Sequence, residues 1–413
     1  MTKLSWTIVI AVTAVIIAGA SIFGIATDRR APKSVRIGYG ISLTGVNTLG
    51  ASMTVVSNYR LWVNEVNEAG GIMLKSIGKR VPVEVIEYDD ESTVEKTLEI
   101  TDRLIKQDKV DFLLAPLGTG LNIAVGPLFH DAGYPQLAIH AHSDRTPELA
   151  KLWPSSFWFQ GTATDNAQAL VEMLEKLRSE GKIGNTVAML SVADQFGIGM
   201  AKAARRALEQ NRFDVIYDRS YAVGVQDMRQ IVKEVKQVWP DAFLAFSLPL
   251  ETLAITGQAR ILDFNPKIFY TAIGTALPQY KRRFGADIQG VMGGGGWNPN
   301  SPDSKAYRKR HIDATGEEPD RRSGPLTYGS LQMLQQAIER VGKIDRKAVI
   351  KELQTGTFQT IVGEVKLDGN IYKDGWKVGQ WQDGEFYCIA PATLPGAQEV
   401  LFPKPAWRVE PTN

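Results

Sequence analysis

Val35-Arg36-Ile37-Gly38-Tyr39-Gly40-Ile41-Ser42-Leu43-Thr44-Gly45 is the stretch on which the reading of this chain turns. Apolar and small residues run to Ile41, as in a buried strand, and Ser-Leu-Thr-Gly then supplies a loop. This is the opening strand and first loop of a large α/β domain. Immediately before it stands the apolar run Thr7 to Ala26, TIVIAVTAVIIAGASIFGIA. Lys3 gives that run a thin positive flank, and Gly24-Ile25-Ala26 offers the small residues a signal peptidase needs. At about 20 residues it is also long enough to span a bilayer as a helix. Arg29, Arg30 and Lys33 lie on its far side, against the charge bias of a simple N-in anchor. Residues 1–26 therefore read as a signal peptide or membrane anchor, with 27–34 as a linker.

Downstream of Ile41, strand and helix patterns alternate. Met53 to Ala69 sets Val55, Tyr59, Trp62 and Val66 on one helical face, and Gly70-Gly71 stops it. Val81 to Tyr88 reads as a strand, Val94 to Lys106 as an amphipathic helix, Val110 to Ala115 as a buried strand. Ile123 to Ala132 then reads as a helix and Gln136 to Ile139 as a strand. After Trp153 to Phe159 the rhythm restarts, with helices at Asn166 to Glu180 and Gln226 to Val238 and strands at Thr186 to Leu190 and Ala242 to Phe246. Repeated β-α-β units imply parallel sheets covered by helices on both faces. Two such rounds imply two similarly built lobes. A β-ribbon is expected over Gly363 to Cys388, with turns at Asp368-Gly369, Asp374-Gly375 and Asp383-Gly384. The Pro-rich tail, residues 394–413, reads as surface or disorder.

At 413 residues the chain is too long for one ordinary core, which agrees with two lobes. A net charge of +2 without a clustered basic patch excludes nucleic acid as a partner. The densest basic run, Lys305 to His311, reads as the solvated face of a helix. The single cysteine, Cys388, sits in an apolar strand-like stretch and reads as a buried, inert thiol. No disulfide within the chain is possible.

Catalytic and cofactor motifs are weak. Gly293-Gly294-Gly295-Gly296 resembles a phosphate loop only in composition. Trp297-Asn298-Pro299 follows it, so the run reads as a hinge or tight strand exit. His140 and His142 stand two apart, on one face of an extended segment, but nothing nearby completes a metal site. No Gly-x-Ser-x-Gly elbow or His-Glu-x-x-His helix is present. Asp89-Asp90-Glu91 reads as a loop and cap between strand and helix. The chain is expected to be no enzyme, with no cofactor and no metal.

The landmarks, taken in order, carry a resemblance. They are Ser42-Leu43-Thr44-Gly45, Asn67-Glu68-Ala69-Gly70-Gly71-Ile72, Tyr88-Asp89-Asp90, Pro116-Leu117-Gly118-Thr119, Asp194-Gln195-Phe196-Gly197-Ile198-Gly199, Gly257-Gln258-Ala259-Arg260 and Gly363-Glu364-Val365-Lys366-Leu367-Asp368-Gly369. From about Val35 to Pro391 the chain resembles the type I periplasmic solute-binding proteins of branched-chain amino-acid ABC importers. The resemblance implies two α/β lobes joined by three crossovers and closing over a ligand. Lobe 1 would comprise 35–159 plus 273–360, and lobe 2 160–272 plus 361–393.

It also implies site residues. Gly118 and Thr119 fall where backbone amides and a hydroxyl receive a ligand α-carboxylate. His140-Ala141-His142 falls where Ala-Ala-Thr is usual, and Glu251 where a carboxylate binds the ligand ammonium. Phe196 replaces a usual Tyr, and Leu49 a usual aromatic cap. The expected function is capture of an amino acid or related small molecule for ABC permease subunits, in the periplasm or on the outer face of the inner membrane. A membrane-tethered sensor of the same fold is the alternative, as is an amide, urea-like or aromatic-acid ligand.

Overall fold

The computed structural model describes residues 31–373, 375 and 377–408. The apolar run Thr7 to Ala26, read as signal or anchor, lies outside the described residues. Among the described residues no helix is long and apolar enough to cross a membrane.

Val35–Ile41 is the strand the sequence predicts. It lies between the parallel strands Val83–Asp89 and Phe112–Leu113. Its side chains Ile37, Tyr39 and Ile41 are fully or almost fully buried. Gly38 and Gly40 leave room on the opposite face. A Cβ on Gly38 would stand 2.6 Å from the side chain of Leu104, and one on Gly40 3.0 Å from Ile100. The helix Val94–Lys106 thereby packs directly on the strand. Its first turn is capped by Thr93, whose hydroxyl accepts from Lys96 N. Gln136–Ala138 and Ser156–Trp158 pair in parallel and continue the first lobe. The helices Ser57–Glu68 and Gly324–Val341 cover it, through Trp62, Val66, Leu334 and Ile338 in one apolar cluster.

The second lobe is built on a seven-stranded sheet. In order its strands are Glu385–Ala390, Val378–Gln382, Met292–Gly294, Ile268–Thr271, Ala242–Phe246, Thr186–Val192 and Asp214–Tyr221. The last five named are mutually parallel, and the first two form an antiparallel hairpin at one edge. Asp383 and Gly384 both take positive φ at its turn, as a two-residue hairpin loop requires.

Three crossovers join the lobes. The chain enters the second lobe between Trp158 and Ala163, returns between Gly294 and Pro302, and crosses again between Tyr372 and Val378. Two of these differ from the sequence expectation. Met292–Gly294 hydrogen-bonds into the second sheet, although it lies inside the 273–360 segment assigned to lobe 1. The hairpin Thr357–Thr360 with Gly363–Lys366 instead packs Phe358 and Val365 into the first cluster. The ribbon expected over Gly363 to Cys388 is thus divided between two lobes. Alternation alone does not say which sheet an isolated strand joins.

The described part of the tail, 394–408, also departs from its reading as surface or disorder. Trp407 is buried in the second cluster and donates from Nε1 to the carbonyl of Phe264 at 2.8 Å. Arg408 N donates to Asp287 Oδ1. Pro-rich composition forbids regular structure, but it does not forbid docking.

Candidate functional site

Between the lobes lies a cavity of about 300 Å³. Its first-lobe wall begins at the helix Thr119–Asp131, which starts four residues earlier than its sequence pattern predicts. Gly118 precedes it with φ 105°, a conformation that favours glycine, and the first helical turn faces the cavity. The free amides of a first helical turn, together with the helix dipole, make this an anion-seeking end. Thr119 Oγ1 accepts from His142 N at 3.1 Å, which leaves its own proton available to a ligand. Gly118 and Thr119 both line the cavity.

His140 and His142 both line the cavity. Burial and the nearby Arg322 hold His140 down to about 3, and burial holds His142 well below the usual imidazole range, helped by Arg322, Lys377 and His140. Both rings are therefore neutral at physiological pH. Their partners fix the tautomers. Arg322 Nη2 lies 3.1 Å from His142 Nε2 and can only donate, so the His142 proton sits on Nδ1. Thr327 Oγ1 donates to the carbonyl of Ser323 at 2.8 Å and so accepts from His140 Nε2 at 3.2 Å.

The opposite wall comes from the second lobe. Asp194 caps the helix Gln195–Gln210, its Oδ1 accepting from Gly197 N at 2.7 Å, and Phe196 follows in the first turn. Phe196 meets His142 edge-on across the cleft, with ring centroids 5.6 Å apart. Val223, Leu248, Pro249, Ile273 and Leu277 make the rest of this wall apolar.

Two sequence-derived residues stand off the wall. Glu251 is buried in the first turn of the helix Pro249–Ile261, and its Oε1 accepts from Gly224 N at 2.8 Å. Its helix presents Leu248 and Pro249 to the cavity instead. Asp194 is the carboxylate that the second lobe gives to the cavity lining, to which the first lobe adds Asp320, and burial together with Glu251 pushes the Asp194 pKa up. Tyr221 completes the group of Asp194 and Glu251, since both these carboxylates act on its hydroxyl, which is buried and has no hydrogen-bond partner among the described residues. Leu49 packs against the second-lobe cluster from the short helix Thr48–Gly50 and so bridges the lobes outside the cavity.

Sequence reasoning missed Arg322. It reaches the cavity from the segment Asp320–Ser323, just before the helix Gly324–Val341. The Asp-Arg-Arg-Ser run was the available signal, but consecutive arginines usually mark a solvated surface. Asp320 organises the segment, accepting from Thr54 Oγ1, Arg322 N, Ser323 N and Gly324 N.

Comparisons with known proteins bear on the family and the fold. A model of the periplasmic binding protein family matches residues 34–385. The Leu/Ile/Val-binding protein of Escherichia coli (strain K12) is 21% identical over 322 residues, 77% of this chain and 82% of that protein. Among solved structures, the branched-chain amino-acid transporter substrate-binding protein LivJ of Streptococcus pneumoniae, in complex with isoleucine, matches with a TM-score of 0.73 and 20% identity. That match covers 87% of this chain and 100% of the other. An ABC transporter solute-binding protein from R. palustris, in complex with benzoate, matches with a TM-score of 0.75 and 16% identity, over 89% of this chain and 99% of the other. The chain belongs to the periplasmic binding protein family.

Proposed function

We propose that the protein is the solute-binding component of an ABC importer, capturing an amino acid or a related small carboxylate between its lobes. It then delivers the ligand to permease subunits outside the cytoplasm, and performs no covalent chemistry. The observation that carries this reading is the polarity of the cavity. Its first-lobe end joins a helix N-terminus, the Thr119 hydroxyl and the Arg322 guanidinium, all suited to a carboxylate. Apolar side chains surround the body of the ligand, and Asp194, backed by Glu251, supplies the negative charge that an ammonium needs. Family relatives that bind branched-chain amino acids support the amino-acid reading.

Closure follows from the placement of these groups on different lobes. A ligand that touches Thr119 and Phe196 together has more contacts in the closed state than in the open one, and so favours closure. Thermal-shift screening against amino acids and small organic acids tests the reading. A ligand of the native state raises the melting temperature as its concentration rises. Stabilisation by at least one member is expected, and its absence across the panel would remove the proposal.

A further inference from the structure

Arg321 and Arg322 are neighbours with opposite environments. Arg321 is fully buried and ion-paired with Glu318 and Glu385, its Nε 2.7 Å from Glu385 Oε1. Arg322 forms no ion pair among the described residues. Its Nη1 donates to Ser323 Oγ at 3.2 Å and its Nη2 to His142 Nε2 at 3.1 Å, while its Nε is buried with no hydrogen-bond partner among the described residues. Desolvation lowers its pKa, although Asp320 and Tyr270 act in the other direction. Asp320, the nearest acidic influence, already accepts four hydrogen bonds from its own surroundings. A desolvated guanidinium held by neutral partners is an incomplete arrangement, because a charge withdrawn from water is costly until an opposite charge reaches it.

The glycine run gives this arrangement its shape. A Cβ on Gly295, at φ 83°, would stand 2.4 Å from Arg322 Cγ, and one on Gly294 3.1 Å from Arg322 Nε. The second crossover is therefore thinned to backbone where it passes the Arg322 side chain. Gly293 and Gly296 are small for other neighbours, Thr275 and Cys388. Any side chain at 295 would push the guanidinium off its present path.

We propose that Arg322 determines ligand specificity, supplying the full positive charge that a ligand carboxylate completes, so that the cleft selects acids over the amides of the same shape. This rests on the carboxylate reading of the cavity given above. Hydrogen bonds to charged groups are the stronger class, and an amide has no charge to offer the guanidinium.

The test compares acids with their primary amides by calorimetric titration of the wild-type protein: L-leucine with L-leucinamide, 4-methylpentanoate with 4-methylpentanamide, and benzoate with benzamide. For each acid that binds, the amide is expected to bind about 30-fold more weakly or worse. Arg322→Gln should bring acid and amide to within about threefold, and Arg322→Lys should restore much of the preference. Unliganded melting curves establish that the variants fold, and the wild-type comparison stands without them. Equal binding of acid and amide by the wild-type protein would overturn the role of Arg322 while leaving the solute-binding reading intact. Binding of none of the six compounds would count against both.

Discussion

Phe196 of the second lobe meets His142 of the first edge-on, at 5.6 Å between ring centroids and 67° between planes. The contact joins a ring of the second-lobe apolar cluster to a first-lobe imidazole that lines the cavity. It also fixes the position of the imidazole whose Nε2 accepts from Arg322. Phe196→Ala should weaken ligand binding by about 1–3 kcal/mol, through lost apolar area and lost edge contact. Phe196→Tyr should bind within about threefold of wild type, since it preserves the aromatic wall. Calorimetric titration of the two variants checks both expectations. Equal loss in both would show that the ring face is not what the ligand uses.

His140 gives the fold an acid-side weakness. Its folded pKa is held down to about 3, against 6.5 for an ordinary imidazole, chiefly by burial. Between those values the unfolded chain binds a proton that the folded chain refuses, so stability rises with pH across that window and is lost on acidification. His140→Gln should flatten this part of the profile. Urea unfolding of both proteins between pH 4 and 7 measures it, and parallel profiles would refute the assignment.

Glu251 is expected to act on the ligand through charge and on the loop through Gly224. Glu251→Gln keeps an acceptor for Gly224 N while removing the charge that acts on Asp194. For an α-amino-acid ligand, that variant should lose affinity while its unliganded stability stays within about 1 kcal/mol of wild type. For a ligand without an ammonium, the affinity should be unchanged. The variant therefore reports the charge of the ligand's second group.

Gly295→Ala should be costly in two ways. The added methyl meets Arg322 Cγ at 2.4 Å, and φ 83° disfavours any residue with a Cβ. A loss of about 1–3 kcal/mol in unfolding free energy is expected, from strain and overpacking together. Carboxylate affinity should fall as well. Unchanged stability and binding would show that the crossover does not confine the guanidinium.

The tail should contribute to stability as a docked element. Trp407→Ala should cost about 3–5 kcal/mol, the range for a large buried ring. Lys404 sits 3.3 Å above that ring, and burial pushes its pKa down to about 7. The unfolded lysine titrates near 10, so this residue should make the fold more stable as pH rises from about 7 to about 10. Lys404→Met should remove that slope, as denaturant unfolding across the range would measure.

How far the sequence could be read depended on how local the cause was. Val35–Ile41, Val94–Lys106 and Ala242–Phe246 carry their burial pattern in their own residues, and the structure returns those bounds unchanged. The start of the helix Thr119–Asp131 escaped detection because Gly118, not a polar N-cap, makes the break. The strand Met292–Gly294 is only three residues long, with two glycines, and its sheet is chosen by distant partners. The same logic separates the site residues. Thr119 and Phe196 sit in the short motifs Pro116-Leu117-Gly118-Thr119 and Asp194-Gln195-Phe196-Gly197, which carry the family resemblance. Arg322 takes its meaning from His142, 180 positions away, and from the glycines that pass it. No window of sequence holds those partners together.

Calorimetric titration of the protein with amino acids and small organic acids, repeated on Thr119→Val and Arg322→Gln, tests the account most directly. Saturable binding of one molecule per chain by at least one acid is expected, with affinity lost in both variants and folding preserved. Saturable binding that is unchanged in both variants would place the ligand elsewhere and contradict it.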